Sequence, residues 1–388
     1  MSFTLNEEQV AFQEAARAFA QGELEPNAAE WDENKIFPRE TISAAGEMGF
    51  CGMYSPEKYG GLGLSRLDTS IILEELAAGC TSTAAFISIH NMAAWMVCTW
   101  GTDTLCEEWA EQLTSGQKLG SYCLTEPNAG SDAANLRSTA VLDGDHYIVN
   151  GGKMFISGAG ATDLLVVMLR TGDKDSGAKG ITAFAIPADS PGIEYGKNEV
   201  KLGWNSQPTR AISFDNVKVP VSHRLGEEGE GFKIAMKGLD GGRLNIATCS
   251  VGAAQACLGI AQRYVQDRVQ FGKPIASFQS VQFKIADMAT ELVAARQMIR
   301  SAATAVDENH ADKTVYCAMA KRFATDVGFN VCNEALQLHG GYGYLREYPV
   351  ERYLRDARVH QILEGTNEIM RVITARRLMQ DGATEEIR

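Results

Sequence analysis

The sequence predicts an α+β protein of several domains: an all-α N-terminal domain, an antiparallel β middle domain and a C-terminal four-helix bundle. Apolar residues recur at steps of three and four over both ends of the chain, whereas the middle carries short alternating or β-branched runs between turn residues. A chain of 388 residues is also long enough for two or three domains. We place these domains at residues 1–120, 121–230 and 231–388.

The N-terminal part predicts a series of helices. Thr4 and Glu7 have the spacing of a capping box, and the apolar face that follows them continues to Gly22. Further helices are predicted over residues 41–49, 68–79, 83–99 and 103–115, because glycine and proline residues separate these periodic stretches.

The middle part predicts strands over residues 147–149, 154–156, 164–169, 181–186 and 211–219. The pairs Asp143-Gly144 and Asn150-Gly151 precede the first two strands, and such pairs favour tight hairpin turns. Because hairpins join antiparallel strands, the sheet is expected to be antiparallel.

The C-terminal part predicts long helices with two apolar stripes at helical steps. The first stripe contains Val281, Ile285, Met288, Leu292, Ala295 and Ile299, and the second contains Tyr316, Phe323, Val327, Val331 and Leu338. With residues 232–266 and the final helix, these two antiparallel helices complete the predicted bundle.

Composition restricts the partners and the compartment. The net charge of −13, with no run of like charges, disfavours nucleic acid and anionic membrane surfaces. The most apolar window, residues 84–100, is interrupted by polar residues and is too short for membrane insertion. Nine cysteines without a C-x-x-C pair indicate free thiols in a reducing compartment, and six scattered histidines predict no metal site. The acidic start without a targeting signal predicts a cytoplasmic bacterial protein, or a mitochondrial matrix protein if the chain is a processed eukaryotic one.

Glu364 is the candidate catalytic residue. Gly365 follows it and permits a sharp turn, and Thr366 is a good N-cap for a further helix. Glu364 is therefore predicted in a tight connection between two helices. An acid in such a place can simply interact with the helix dipole, so the assignment of a function depends on the surrounding motifs.

A glycine-rich segment, Gln337-Leu-His-Gly-Gly-Tyr-Gly343, precedes this connection. Its glycines can cap a helix, or they can expose main-chain N–H groups to a diphosphate. No predicted strand leads into the segment, so it is not a dinucleotide-fold fingerprint.

Three motifs together carry a family resemblance. They are Gln-x-His-Gly-Gly-x-Gly, the Arg-Asp-x-Arg of residues 355–358 and the Ile-Leu-Glu-Gly-Thr-Asn-Glu of residues 362–368. In this order and at these separations, they resemble the motifs of the acyl-CoA dehydrogenases. These are FAD enzymes that oxidise acyl-CoA thioesters, and their domain order agrees with the predicted one. The resemblance extends over essentially the whole chain and is greatest to the branch of the family that acts on isobutyryl-CoA.

The resemblance implies a role for each matching residue. Glu364 would be the catalytic base, because Gly242 supplies no carboxylate at the alternative position that some members use. The implied FAD contacts are Tyr122, Leu124, Thr125, Ser131, Phe155, Ile156, Ser157, Arg268, Phe278, Gln279, Gln337, Leu338, His339, Gly340, Gly341, Thr366, Asn367 and Glu368. The implied acyl-CoA contacts are Ser131, Asp240, Gly241, Gly242, Arg243, Gly365 and Arg376. Arg268 would reach the FAD of a neighbouring subunit, and Phe155 would pack on the flavin ring without an N–H group to donate.

The implied reaction is the FAD-dependent α,β-dehydrogenation of a short branched-chain acyl-CoA. The expected substrate is isobutyryl-CoA, oxidised to methacrylyl-CoA in valine catabolism by a homotetramer that passes electrons to an electron-transferring flavoprotein. The alternatives are a short straight-chain or 2-methylbutyryl-type acyl-CoA substrate, a related flavin oxidase, and a non-catalytic protein that binds flavin or acyl-CoA.

Overall fold

The computed structural model describes residues 4–387 as helices, then a sheet, then helices, which confirms the predicted fold class. The helices before the sheet are α1 (Glu7–Phe19), α2 (Ala28–Asn34), α3 (Arg39–Glu47), α4 (Arg66–Gly79), α5 (Thr81–Trp100) and α6 (Asp103–Thr114). The last four match the helices predicted over residues 41–49, 68–79, 83–99 and 103–115. The sequence pattern does not predict α2, because seven residues are too few for a clear periodicity.

The predicted capping box of the first helix is wrong by two residues. The helix begins after Asn6, whose side chain accepts a hydrogen bond from Gln9 N at 2.8 Å, while the Gln9 side chain accepts one from Asn6 N at 3.2 Å. This reciprocal pair takes the place of the one expected from Thr4 and Glu7. A π-helical turn over Ala20–Leu24 then carries the chain through Gly22.

Eight strands form one sheet in the order β6-β7-β3-β2-β4-β5-β8, with β1 paired to β4. They are β1 (Gly120–Cys123), β2 (Thr139–Asp143), β3 (His146–Ser157), β4 (Leu164–Arg170), β5 (Ile181–Pro187), β6 (Ile193–Tyr195), β7 (Thr209–Pro220) and β8 (Arg224–Leu225). The strands predicted over residues 147–149 and 154–156 form one continuous strand, β3. The short strands β2, β6 and β8 are additional to the prediction.

The sheet is mixed, so the prediction of a wholly antiparallel sheet is wrong at two pairs of strands. β1 runs parallel to β4, with Gly120 opposite Leu164, and β2 meets β4 in parallel at Thr139 and Arg170. The other pairs are antiparallel. Residues 124–138 form a long connection between β1 and β2, and a hairpin rule does not fix the direction of strands that are joined in this way.

The C-terminal part is the predicted bundle. Its long helices α7 (Gly231–Asp267), α8 (Gln279–Asp307) and α9 (Lys313–His339) pack on one another. A hairpin of β9 (Val269–Gln270) and β10 (Lys273–Pro274) follows α7. The helices α10 (Val350–Arg358) and α11 (Asn367–Leu378) both pack on α9, and a short helix, α12 (Ala383–Glu386), comes last.

The helix α7 joins the parts of the molecule, since it contacts α4 and α5 as well as the bundle. It is long and apolar enough to cross a membrane by length and composition alone, but 72% of its most apolar window is buried inside the fold. Burial of this kind is typical of a core helix. All nine cysteines are buried free thiols, as predicted.

The Arg-Asp-x-Arg motif on α10 ties that helix to the rest of the chain. Asp356 accepts a hydrogen bond from Trp204 N at 2.6 Å, and Trp204 Nε1 donates to His360 Nε2 at 3.2 Å. Trp204 has a left-handed φ of 56°, so this bond holds a strained main chain. Arg355 donates to Asp32 on α2 at 2.6 Å. The motif therefore fixes the helix that leads to Glu364.

Two replacements of Asp356 measure separately what its hydrogen bond and its charge contribute to the stability of the fold. Burial raises the pKa of Asp356 to about 7. As the pH rises from about 4 to about 7, the unfolded carboxyl loses its proton while the folded one keeps it, so wild type should lose stability relative to Asp356→Asn over this window. Asp356→Ala should cost about 1–3 kcal/mol, because it leaves Trp204 N–H buried without an acceptor. Thermal unfolding of the three proteins at pH 5 and pH 8 measures both effects, and an Asn variant as unstable as the Ala variant would contradict this account.

Candidate active site

Glu364 lies in the connection between α10 and α11, as predicted. Its φ is 54° and that of Gly365 is 89°, so two successive residues adopt the left-handed conformation. This conformation is strained for glutamate, and such strain concentrates at functional sites. Thr366 caps α11 by accepting a hydrogen bond from Ile369 N at 3.3 Å. The tight turn and the cap together fix the direction of the Glu364 side chain.

The Glu364 side chain is half-buried, with one carboxylate oxygen enclosed by protein. Its Oε2 atom is buried and has no hydrogen-bond partner in the described chain. Burial raises the pKa of Glu364 to about 7, and the positive charges of Arg243 and Lys321 oppose this rise. Glu364 is therefore a stronger base than an exposed glutamate and is still ionised in part at neutral pH.

Glycines on α7 make room for this carboxylate. A Cβ atom at Gly242 would lie 2.5 Å from Glu364 Oε2, and one at Gly241 would lie 2.6 Å from the Arg66 guanidinium. The residues on either side of these glycines are paired: Arg243 donates to Asp240 at 2.8 Å, and Thr314 donates to the other oxygen of Asp240 at 2.7 Å. Of the predicted residues 240–243, Gly242 lies directly against Glu364, and the charge of Arg243 acts on it.

Tyr122, on β1, lies close enough to Glu364 and Arg243 for their charges to act on its hydroxyl. Burial raises the pKa of its hydroxyl well above the usual range, and the negative charge of Glu364 adds to this rise. The Tyr122 hydroxyl and Arg243 Nε are both buried without a hydrogen-bond partner in residues 4–387, as is Glu364 Oε2. Unpartnered buried polar atoms are rare in folded proteins. Three of them around one point indicate a site for a polar ligand.

The two predicted flavin segments lie side by side. Met154 N donates to Thr125 O at 2.8 Å, and the Ser121 hydroxyl donates to Ser157 O at 2.7 Å. Phe155, between them, has a φ of 59°, lies at an irregularity in the pairing of β3 and β7, and leaves 63% of its surface exposed. Bulges beside active sites redirect side chains in this way. An exposed aromatic ring on a strained main chain suits a flat cofactor.

Two of the predicted cofactor contacts in these segments have side chains that a cofactor cannot reach. Ile156 and Leu124 are buried in the core, so that only their main-chain groups remain for a cofactor. Ser131 is exposed on the loop after β1.

A buried ion pair supports that loop, and the sequence interpretation missed it. Lys153 Nζ donates to Glu126 at 2.7 Å and to Leu124 O at 3.2 Å, while Glu126 accepts from Arg137 N at 2.6 Å and Ser138 N at 3.0 Å. The available signal was a lysine at an inward-facing position of a strand pattern.

A second group of predicted residues forms a groove of about 380 Å³ at the far end of the bundle. Gln337, Leu338, Gly340 and Gly341 line it together with Arg268 and His339. The His339 ring stacks on Tyr264 at 4.2 Å, and its Nδ1 atom lies 2.7 Å from Ala335 O, while its Nε2 atom is buried without a partner in the described chain. Phe278 and Gln279 lie nearby, at the start of α8.

Within one chain, the residues around Glu364 and the residues that line the groove at Arg268 lie far apart. Gly242 lies near the beginning of α7 and Arg268 immediately follows its end. At about 1.5 Å per residue, these two positions are about 39 Å apart along the helix. Because Gly242 lies against Glu364, the groove at Arg268 is far from the site around Glu364 in the same chain.

The predicted residues of α11 have different environments. Asn367 is buried, and its amide is occupied by Lys321 Nζ at 3.0 Å, Thr325 Oγ1 at 2.9 Å and Asp326 at 2.7 Å. Its side chain is an internal anchor. Glu368 is exposed, and Arg376 is exposed about 12 Å further along the helix. No group of His, Cys, Asp and Glu side chains in residues 4–387 could hold a metal ion.

Comparison with known protein families covers nearly the whole chain. The models for the N-terminal, middle and C-terminal domains of acyl-CoA dehydrogenase match residues 6–117, 121–217 and 229–379, respectively.

Individual proteins are similar over the same length. The mitochondrial isobutyryl-CoA dehydrogenase of Bos taurus is 53% identical over 98% of this chain and 91% of its own length. The solved butyryl-CoA dehydrogenase of Megasphaera elsdenii has a TM-score of 0.94 and 42% identity, covering 98% of this chain and all of its own. A chain in a structure described as the electron transferring flavoprotein of Acidaminococcus fermentans has a TM-score of 0.95 and 42% identity over the same shares.

Proposed function

Because the chain belongs to the acyl-CoA dehydrogenase family, we propose that it oxidises isobutyryl-CoA to methacrylyl-CoA and passes the electrons to an electron-transferring flavoprotein. The oxidation of acyl-CoA thioesters with FAD is the activity of the family. The observation that carries the proposal at this site is the buried, unpartnered carboxylate oxygen of Glu364 near Arg243 and Tyr122.

The residues around the site fit FAD. The exposed ring of Phe155 would cover one face of the flavin, and the main chain of Thr125 and Ser157 lies beside it. When bound, FAD accepts the hydride that leaves the substrate β-carbon.

Glu364 would take the α-proton of the thioester onto its carboxylate. A base is most effective when its pKa is near the working pH, and burial places Glu364 there. Gly242 leaves the space in front of Oε2 open and supplies no second carboxylate. Of the two positions at which members of the family carry the catalytic base, this sequence therefore has a carboxylate only at Glu364.

Glu364→Gln tests this role, because glutamine keeps the size and polarity of the side chain but cannot accept the proton. FAD content and acyl-CoA binding should stay near wild type, while flavin reduction by substrate in stopped flow should slow by about 10²–10⁴-fold. Wild-type reduction should become faster as the pH rises through about 7, where Glu364 loses its proton. A mutant within a few-fold of wild type would remove Glu364 from the mechanism.

Two observations support a short branched acyl chain. The first is the 53% identity to an isobutyryl-CoA dehydrogenase over almost the whole chain. The second is crowding at Gly241, the neighbour of the glycine that faces Glu364: the Arg66 guanidinium lies 3.5 Å above the Tyr54 ring, 5.4 Å from the Trp95 ring and against Gly241. Large side chains there leave little room for a long acyl chain. A role in valine catabolism, in a bacterial cytoplasm or a mitochondrial matrix, would follow from this substrate.

A series of acyl-CoA substrates tests the choice of acyl chain. Isobutyryl-CoA should give the highest kcat/KM, ahead of 2-methylbutyryl-CoA, butyryl-CoA and isovaleryl-CoA. 2-Methylbutyryl-CoA and isovaleryl-CoA each have one methylene more than isobutyryl-CoA, a difference worth about 1–3 kcal/mol or about 10–200-fold. Butyryl-CoA is an isomer of isobutyryl-CoA and differs from it in the shape of the acyl chain alone. A preference for butyryl-CoA would favour the straight-chain alternative, which the likeness to the butyryl-CoA dehydrogenase supports.

The proposed electron acceptor rests on the similarity to the Acidaminococcus fermentans chain. An oxidase, which would pass electrons to oxygen, is the alternative. Running the substrate series with electron-transferring flavoprotein and with air as acceptors separates the two.

We further propose a homotetramer in which the groove at Arg268 and His339 binds the FAD of a neighbouring subunit. The separation of about 39 Å from Gly242 supports a shared site. The adjacent hairpin and the start of α8 also expose apolar side chains: Phe271 is 93% exposed, and Val269 and, on α8, Phe283 are exposed as well. Exposed apolar patches of this kind mark interfaces between proteins.

Light scattering should therefore give four times the chain mass of 42.0 kDa. Arg268→Ala should lower FAD retention, because it removes a bidentate phosphate ligand. Arg263→Ala, at an exposed position on the same helix, is the matched control and should retain FAD. A stable monomer that keeps its FAD would contradict the shared site.

A further inference from the structure

Lys321 is a buried lysine in the middle of α9, with no exposed surface. Its ammonium group donates to Gly365 O at 2.8 Å and to Asn367 Oδ1 at 3.0 Å. These acceptors lie one and three residues after Glu364. Lys321 therefore holds the left-handed connection that carries the Glu364 carboxylate.

The charge of Lys321 has no direct ion-pair partner in residues 4–387, because both of its acceptors are neutral. Asp326, on the same helix, accepts from Asn367 and Gln361 and lies within 3.7 Å of Arg322 and 3.5 Å of Arg371. Glu368, on α11, is exposed and lies 3.8 Å from Arg371. Of the carboxylates whose charge acts on Lys321, Glu364 alone lacks a partner of its own in residues 4–387.

Among the other elements around the pair, α7 supplies one further positive charge, Arg243, which also lowers the pKa of Glu364. Arg243 on α7 is paired with Asp240 at 2.8 Å. Burial lowers the pKa of His360 to about 3, so this ring stays neutral at physiological pH. Burial also keeps the Tyr122 hydroxyl protonated. A buried ammonium is costly without a counter-charge, so the Glu364 carboxylate compensates Lys321.

We propose that Lys321 is a positioning residue for Glu364, which holds the Glu364–Gly365 turn by its hydrogen bonds and keeps the carboxylate ionised by its charge. The proposal rests on the proposed role of Glu364 as the base. A base that burial has already protonated cannot accept the α-proton, so the nearby positive charge is needed for activity at neutral pH. Burial lowers the pKa of Lys321 to about 7, and the Glu364 carboxylate opposes this fall, so that each charged group supports the other.

Lys321→Met and Lys321→Gln test the proposal, with exposed Lys233→Met as the matched control. The first readout is the ionisation of Glu364, followed by infrared titration of the carboxyl band that Glu364→Gln abolishes. Both Lys321 variants should raise the midpoint of this titration by about one pH unit or more, since an opposite charge nearby lowers a carboxyl pKa by about 1–3 units. The second readout is the pH dependence of flavin reduction by substrate, whose acidic limb should move by the same amount.

The two variants separate charge from hydrogen bonding. A glutamine side chain can still donate a hydrogen bond to Gly365 O. At high pH, where Glu364 is ionised in both variants, the substrate should therefore reduce the flavin faster in Lys321→Gln than in Lys321→Met. A purely structural role would lower the rate at every pH and leave the titration midpoint in place. An unchanged midpoint in folded, FAD-loaded Lys321→Gln would overturn the proposal, and this variant decides the question even if the Met variant does not fold. The infrared titration reports on Glu364 whatever reaction the chain catalyses, so it remains distinct from the test of Glu364 as the base.

Discussion

The burial of one carboxylate sets the conditions for the rest of this structure. Glu364 lies on a left-handed turn, with Oε2 buried and facing a space that exists only because residue 242 is glycine. A buried carboxylate is costly unless opposite charges compensate it, and hydrogen bonds to Oε2 are absent from the described chain. Arg243 and Lys321 supply that compensation from two different helices. The site therefore requires α7, α9 and the turn before α11 to meet at one point.

The packing of the whole chain serves this meeting. The helix α7 carries Gly242 and also packs against α4, α5 and α9, so the N-terminal helices and the bundle share one central element. Trp204 and His360 connect the loop before β7 to the segment that leads into Glu364, and Ser250 on α7 lies 2.7 Å from His360 Nδ1. Lys153 and Glu126 hold the loop after β1 in a similar way. Buried polar contacts between elements, rather than apolar packing alone, set the register of the parts around the site.

The features that the sequence predicted are those that depend on neighbours in the chain. The helical stripes, the turn at Gly365 and the cap at Thr366 follow from local patterns, and the family motifs pointed to Glu364. Lys321 and Lys153 could not be predicted in the same way, because their partners lie 44 and 27 residues away. The parallel pairing of β1 with β4 also depends on a long connection. The strain at Phe155 is set by a bulge against β7, and an alternating pattern does not reveal it.

The chemistry of the site depends on a balance between two electrostatic effects. Removal of water makes Glu364 more basic, which favours proton transfer, but the same removal would keep the carboxyl permanently protonated if nothing opposed it. The charge of Arg243 opposes it most strongly, although Arg243 is also paired with Asp240. Lys321 donates only to neutral acceptors, so its charge acts on Glu364 without an intervening counter-ion. Lys321 bonds to the main chain of Gly365 and makes no direct bond to the carboxylate, so both Glu364 oxygens stay available for the substrate. A direct salt bridge would have stabilised the ionised form further and made the carboxylate a weaker base.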